Sequence, residues 1–193
     1  MNAKQFSEFW IKNIKSIGTL DEIKKQWKGD WTGAVLSRTR LDENLKGYFF
    51  DLEKQKIDLV IYSKEKFIKI PYFDNSGTFD SDNLHRGFRV IVEHENNYQT
   101  VFEEIAKLVN FKSPLKVLIT YPHEKIIVNT ENALIKKMKI GISQGHSFFP
   151  ENNDTKYLLI TGLLNNKDKE LIWNYYLFDF KGKNIEKWSN KIY

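Results

Sequence analysis

Residues 87–121 constrain the fold more than any other part of this chain. Gly87-Phe88-Arg89-Val90-Ile91-Val92-Glu93 is a β-forming run apolar enough to be a central strand, and Leu115-Lys116-Val117-Leu118-Ile119-Thr120-Tyr121 is a second strand. Between them, Val101, Ile105, Leu108 and Val109 share one helical stripe. Asn96 or Asn97 is suited to cap that helix and Pro114 to end it. Strand, amphipathic helix and strand in this order predict a βαβ crossover with parallel strands.

The flanking segments complete a mixed α/β reading. Phe6, Trp10, Ile14 and Ile17 recur at helical spacing up to Gly18. Thr19 and Glu22 then form a capping box for a second helix with Leu20, Ile23 and Trp27 on one face. Segments 31–38, 47–53, 56–62 and 66–72 are short, rich in β-formers and separated by charged turns, which predicts an antiparallel meander; 74–86 reads as an exposed loop. A helix over 131–143 and a hairpin of strands 156–164 and 170–180 close the chain. The expectation is one domain over 1–193: N-terminal helices at 3–28, a core at about 47–121, and a C-terminal helix and hairpin at 131–193. Its central mixed β-sheet carries a meander and a crossover and is flanked by helices.

Composition narrows the function classes. There are no cysteines, which excludes disulfide frameworks, thiolate metal sites and cysteine nucleophiles. No apolar stretch reaches the ~18 residues needed to span a bilayer. Met1 to Ile17 is interrupted by Lys4, Glu8, Lys12 and Lys15, unlike a leader peptide, so a cytoplasmic protein without a membrane partner is expected. The net charge of +5 favours approach to a polyanion. Gly141 to Gly145 lacks the Gly-Lys-Ser/Thr ending of a phosphate loop, and no dinucleotide fingerprint follows a strand, so no nucleotide cofactor is expected. His123 and His146 have no partners at metal-ligand spacing.

Carboxylates stand where packing alone does not require them. Asp58 interrupts the apolar run 57–61, and Glu93 and Glu95 stand two apart at a strand end, on one face by alternation, with His94 on the other. Such a pair repels unless a proton or a cation intervenes. Hard oxygen ligands suit Mg²⁺, with Mn²⁺ as its substitute.

The order of these residues over about 47–121 resembles the PD-(D/E)XK, or restriction-endonuclease-like, nuclease superfamily: a meander with an Asp near a strand end, a strand ending Glu-x-Lys, a helix and a parallel strand. Asp58 matches the Asp and Glu93 the first acidic residue, while Glu95 stands where Lys is usual; the motif's Pro is replaced by Lys56-Ile57. The resemblance implies a Mg²⁺-dependent endonuclease hydrolysing DNA, restriction- or defence-related, acting as a homodimer. It implies Asp58, Glu93 and Glu95 as catalytic residues, and Asp58, Glu93 and the His94 carbonyl as metal ligands. Glu8 or Glu22 would add a further carboxylate. Lys116 would supply the missing cation, and Lys116, Lys136 and Lys137 would contact nucleic acid. The alternatives are an inactive relative that binds nucleic acid, or a small interaction or immunity factor whose acidic cluster meets a basic partner.

Overall fold

The computed structural model describes residues 1–27, 31–54, 56–63, 88–95, 97, 99–120, 127–148, 150–165 and 170–192. The elements run α1 (Ala3–Lys15), α2 (Leu20–Trp27), α3 (Trp31–Val35), α4 (Arg38–Asn44), β1 (Tyr48–Lys54), β2 (Ile57–Ser63), β3 (Phe88–His94), α5 (Val101–Asn110), β4 (Leu115–Thr120), α6 (Ile127–Phe148), β5 (Lys156–Asn165), β6 (Glu170–Asp179) and β7 (Asn184–Ile192). Asn2 and Gln5 close a capping box at the start of α1. Thr19 and Glu22 bond each other before α2, as their spacing predicts.

Seven strands form one mixed sheet in the order β1-β2-β3-β4-β5-β6-β7. The expected crossover is present, with β3 and β4 parallel; β4 and β5 are also parallel, and the remaining pairs are antiparallel. Strand alternation divides the core. Val90, Val92, Val117, Ile119, Leu158 and Ile160 pack under α1 to α4 with Phe6, Trp10, Ile14 and Leu41. Ile91, Leu118, Tyr157 and Leu159 pack under α5 and α6 with Ile105, Leu108, Met138 and Ile142. Both faces of the central strands are therefore dry, which explains their near-continuous apolar sequence. Gly141 and Gly145 let α6 lie close on α5: a Cβ added at either would meet Ile105 or Val109 at 2.4 or 2.1 Å. The glycines thus serve the packing of α6 on α5.

Four expectations need correction. The N-cap of α5 is Thr100, not Asn96 or Asn97; the Asn97 side chain instead accepts the Gln99 N–H at 3.0 Å in the turn before the helix. Segment 31–38, predicted as a strand, is helical at Trp31–Val35 and again from Arg38. Val35, Leu36, Leu41 and Leu45 are buried in the layer of α1, and the Asn13 amide donates to Val35 O at 2.6 Å, so tertiary packing overrides β-propensity. The final helix is longer than 131–143, covering 127–148. The closing hairpin gains a third strand, β7, against β6, so the C-terminal residues build a sheet edge. The expected strand at 66–72 and loop at 74–86 lie outside the described residues, as do His123 and Glu124. Among the described residues, no helix is long and apolar enough to cross a membrane.

Candidate functional site

Asp58 and Glu93 come together. The pairing of Leu59 with Val92 brings Asp58 alongside the end of β3, where Asp58 Oδ2 accepts the His94 backbone N–H at 2.7 Å. Glu93 points to the α5 face and is fully buried, and among the described residues no donor stands within hydrogen-bond distance of either carboxyl oxygen. The remaining members come from α5. Lys107 Nζ lies 2.6 Å from Glu104 Oε2 and 3.7 Å from Glu93 Oε2, and Glu104 is itself buried. Three carboxyl groups and one ammonium thus share one end of the sheet.

Electrostatics makes this arrangement costly. Burial first, then the neighbouring Asp58 and Glu104, push the Glu93 carboxyl up to about 10, so it carries a proton at neutral pH. Protonated, it can donate to Glu104. Burial also raises Asp58, against the lowering effect of the His94 amide. Burial alone would lower Lys107, but the three carboxylates outweigh it and hold the ammonium above its ordinary value. The cluster is short of positive charge.

The other expected residues lie elsewhere. The Glu95 carboxylate accepts the Asn97 N–H at 2.6 Å, organising the turn before α5. The His94 ring faces the opposite helix layer, with Nδ1 2.9 Å from Thr32 Oγ1 and Trp10 beside it; burial holds this imidazole neutral, down to about 3. Glu8 is exposed on α1, and Glu22 caps α2, so the helix carboxylate comes from α5 instead. Lys116 is fully buried, bonded to Glu151, to Tyr157 OH at 3.2 Å and to Val109 O at 3.4 Å. It does not present its charge to solvent, and the carboxylate cluster takes its cation from Lys107. Lys136 is exposed, and Lys137 lies half-buried with Nζ 5.4 Å from the Phe102 ring centroid.

Glu104 had a sequence signal. It falls inside the stripe Val101, Ile105, Leu108, where a carboxylate has no packing reason to be. Lys107, one turn on, carries no such mark.

Among the described residues, no group of three or more His, Asp or Glu side chains is arranged to hold a metal ion. Mg²⁺, however, needs one or two carboxylates and keeps several waters. A buried Glu93 with two donorless oxygens beside Asp58 fits that requirement. The chain matches no family model and no curated protein.

Proposed function

We propose that this chain is a Mg²⁺-dependent endonuclease-like enzyme of the restriction-endonuclease-like type that hydrolyses DNA phosphodiester bonds. The observation that carries the reading is Glu93: a fully buried carboxyl beside Asp58 at the end of the central strand β3, whose oxygens accept no hydrogen bond among the described residues. Buried polar groups without partners are rare and concentrate at functional sites. The order of meander, acidic strand end, helix and parallel strand adds support.

Asp58 and Glu93 would hold the ion, with the His94 carbonyl as a third oxygen. When bound, Mg²⁺ supplies charge neutralisation at the phosphate and lowers the pKa of a water. Lys107 supplies the cation that Glu95 cannot, close enough to Glu93 and Glu104 to orient a water or face an anionic oxygen. Glu104 holds Lys107 in place. A duplex cutter with one site per chain would act as a homodimer, matching the two-fold symmetry of its substrate.

Calorimetric titration of Mn²⁺ into wild type and Asp58→Asn tests this. Wild type should bind and release a proton, because Glu93 must ionise to ligate. Affinity should therefore rise up to about tenfold per pH unit between pH 6 and 8, and the apparent enthalpy should follow the buffer's ionisation enthalpy. Asp58→Asn should lose the binding. No Mn²⁺ binding by wild type, even with mixed DNA present, would sink the enzymatic reading. A non-catalytic relative that binds nucleic acid is the second reading, favoured by the engagement of Glu95 with Asn97; it requires DNA affinity without metal-dependent cleavage.

A further inference from the structure

A second charged feature lies away from the carboxylates. Helix α6 is 22 residues long, and its sole acidic residue is Glu131, in the first two turns. Glu131 turns toward the sheet, where its Oε1 accepts Thr161 Oγ1 at 2.7 Å and Asn174 Nδ2 at 2.9 Å. From there to Phe148 the helix carries Lys136, Lys137 and Lys139 and no counter-charge. An ordinary solvated face mixes signs at i, i+4 spacing, so this one is biased.

The β6–β7 turn enlarges the bias. Its residues 180–183 pack onto α6 so closely that a Cβ on Gly182 would stand 2.7 Å from Lys139 O, and Gly182 has φ +80°. Asp179 Oδ1 accepts the backbone N–H groups of Lys181 and Lys183, at 2.9 and 2.8 Å, which fixes the turn. Lys181 and Lys183 therefore stand beside Lys139 around an open cleft of about 670 Å³, with Ser143 and Gln144 as neutral hydrogen-bonding groups on its wall. Among the described residues that line it, none is acidic. Among the described residues no carboxylate pairs with these three lysines.

We propose that the cleft of Lys139, Lys181 and Lys183 is a phosphodiester-backbone site that anchors a nucleic-acid duplex apart from the carboxylate cluster. Charge complementarity selects a polyanion. Lysines, as point charges without a planar fork, suit backbone contacts without sequence readout. The strand register pairs Glu93 with Leu118, Leu118 with Leu159 and Leu159 with Tyr176, three residues before Asp179. Three strand spacings and a few residues put the turn on the order of 20 Å from Glu93. Asp179 pairs with Lys156 at the start of β5, so the turn lies toward the opposite end of the parallel strands from Glu93, about six nucleotide steps away along one strand of a duplex. DNA as the occupant rests on the proposed function; the phosphate chemistry does not.

The test is binding of a labelled twenty-base-pair DNA duplex, followed by anisotropy in EDTA over a range of salt. Lys139→Gln/Lys181→Gln/Lys183→Gln should weaken low-salt affinity by roughly 10- to 100-fold and make the salt dependence shallower by about 0.9 per lysine. Neutralising Lys12, Lys15 and Lys25 on the opposite helix layer, also to Gln, should leave the salt slope near that of wild type. Equal affinity and slope in the cleft variant and wild type would overturn the assignment. So would equal losses in both triple variants, or displacement of the duplex by polyglutamate as readily as by unlabelled DNA. Tighter binding of a DNA than of an RNA duplex would support DNA as the source; the reverse would make RNA the source of the same backbone contact. Duplex binding through the cleft with no metal-dependent cleavage would sink the nuclease reading alone.

Discussion

Glu93→Gln should raise the thermal unfolding midpoint at pH 7 by roughly 6–12 °C while eliminating metal binding. The folded protein holds a proton on Glu93 up to about pH 10, whereas an unfolded glutamate releases it near 4.5. Between these values the native state binds more protons than the unfolded one, so stability falls as pH rises. At pH 7 the interval already traversed corresponds to on the order of 3 kcal/mol of destabilisation. A neutral amide removes this loss, keeps the shape, and can donate to Asp58 and Glu104. For a chain of this size about 1 kcal/mol moves the midpoint by 2–4 °C. The gain should vanish near pH 4, where Glu93 is protonated in both states, and grow toward pH 9. Mn²⁺ should stabilise wild type and leave the variant unmoved. A midpoint difference that is negative, or independent of pH, would show that the native state does not hold a proton on Glu93.

The cost of burying these ionisable groups explains which parts of the candidate site are legible in the sequence. Glu93 and Asp58 were visible because each interrupts a run that should be apolar, and strand alternation fixed the face of Glu93. Lys107 was invisible because a lysine on an amphipathic helix has an unremarkable place at its polar margin. Its role appears only when α5 crosses over Glu93. Lys116 was misleading for the converse reason. It shares a strand face with Leu118, the neighbour of Glu93, but lies two residues earlier, where its ammonium meets Glu151, which follows the end of α6. The fold shows the same division. Period-2 and period-3.6 patterns identified β3, α5 and β4, whose partners lie nearby in sequence. Residues 31–38 carry a strand-like signal because Trp31, Thr32 and Val35 favour strands, while contacts with α1 made from more than twenty residues away select helix. Segment 184–192 carries Glu186, Lys187 and Lys191 on an edge strand, and the charges that suit an edge masked its strand pattern.

Glu151→Ala should lower stability by about 3–5 kcal/mol, more than an ordinary exposed-loop substitution. Glu151 pairs with Lys116 and accepts Tyr157 OH at 2.9 Å and Thr155 Oγ1 at 3.3 Å. Removing it leaves a buried ammonium with, among the described residues, Tyr157 OH and Val109 O as its remaining hydrogen-bond partners. Burial already lowers the pKa of Lys116, and Glu151 is the group that opposes the shift. Without Glu151 the native state should release the lysine proton at a lower pH than the unfolded chain does. Stability of the variant should therefore recover as pH rises from 7 toward 10, opposite in sign to the pH trend from Glu93. Adding Lys116→Met to Glu151→Gln removes both charges while keeping an acceptor for Tyr157 and Thr155. That double variant should regain most of the lost stability in urea titrations, since a buried pair is worth little against a neutral filling of the same shape. It should also keep Mn²⁺ affinity at the carboxylate cluster, because Lys107 serves that site. A loss of Mn²⁺ binding in a well-folded double variant would return Lys116 to the proposed metal site. A loss below about 1 kcal/mol in Glu151→Ala would mean that the buried lysine sheds its proton at little cost, with the fold indifferent to its partner.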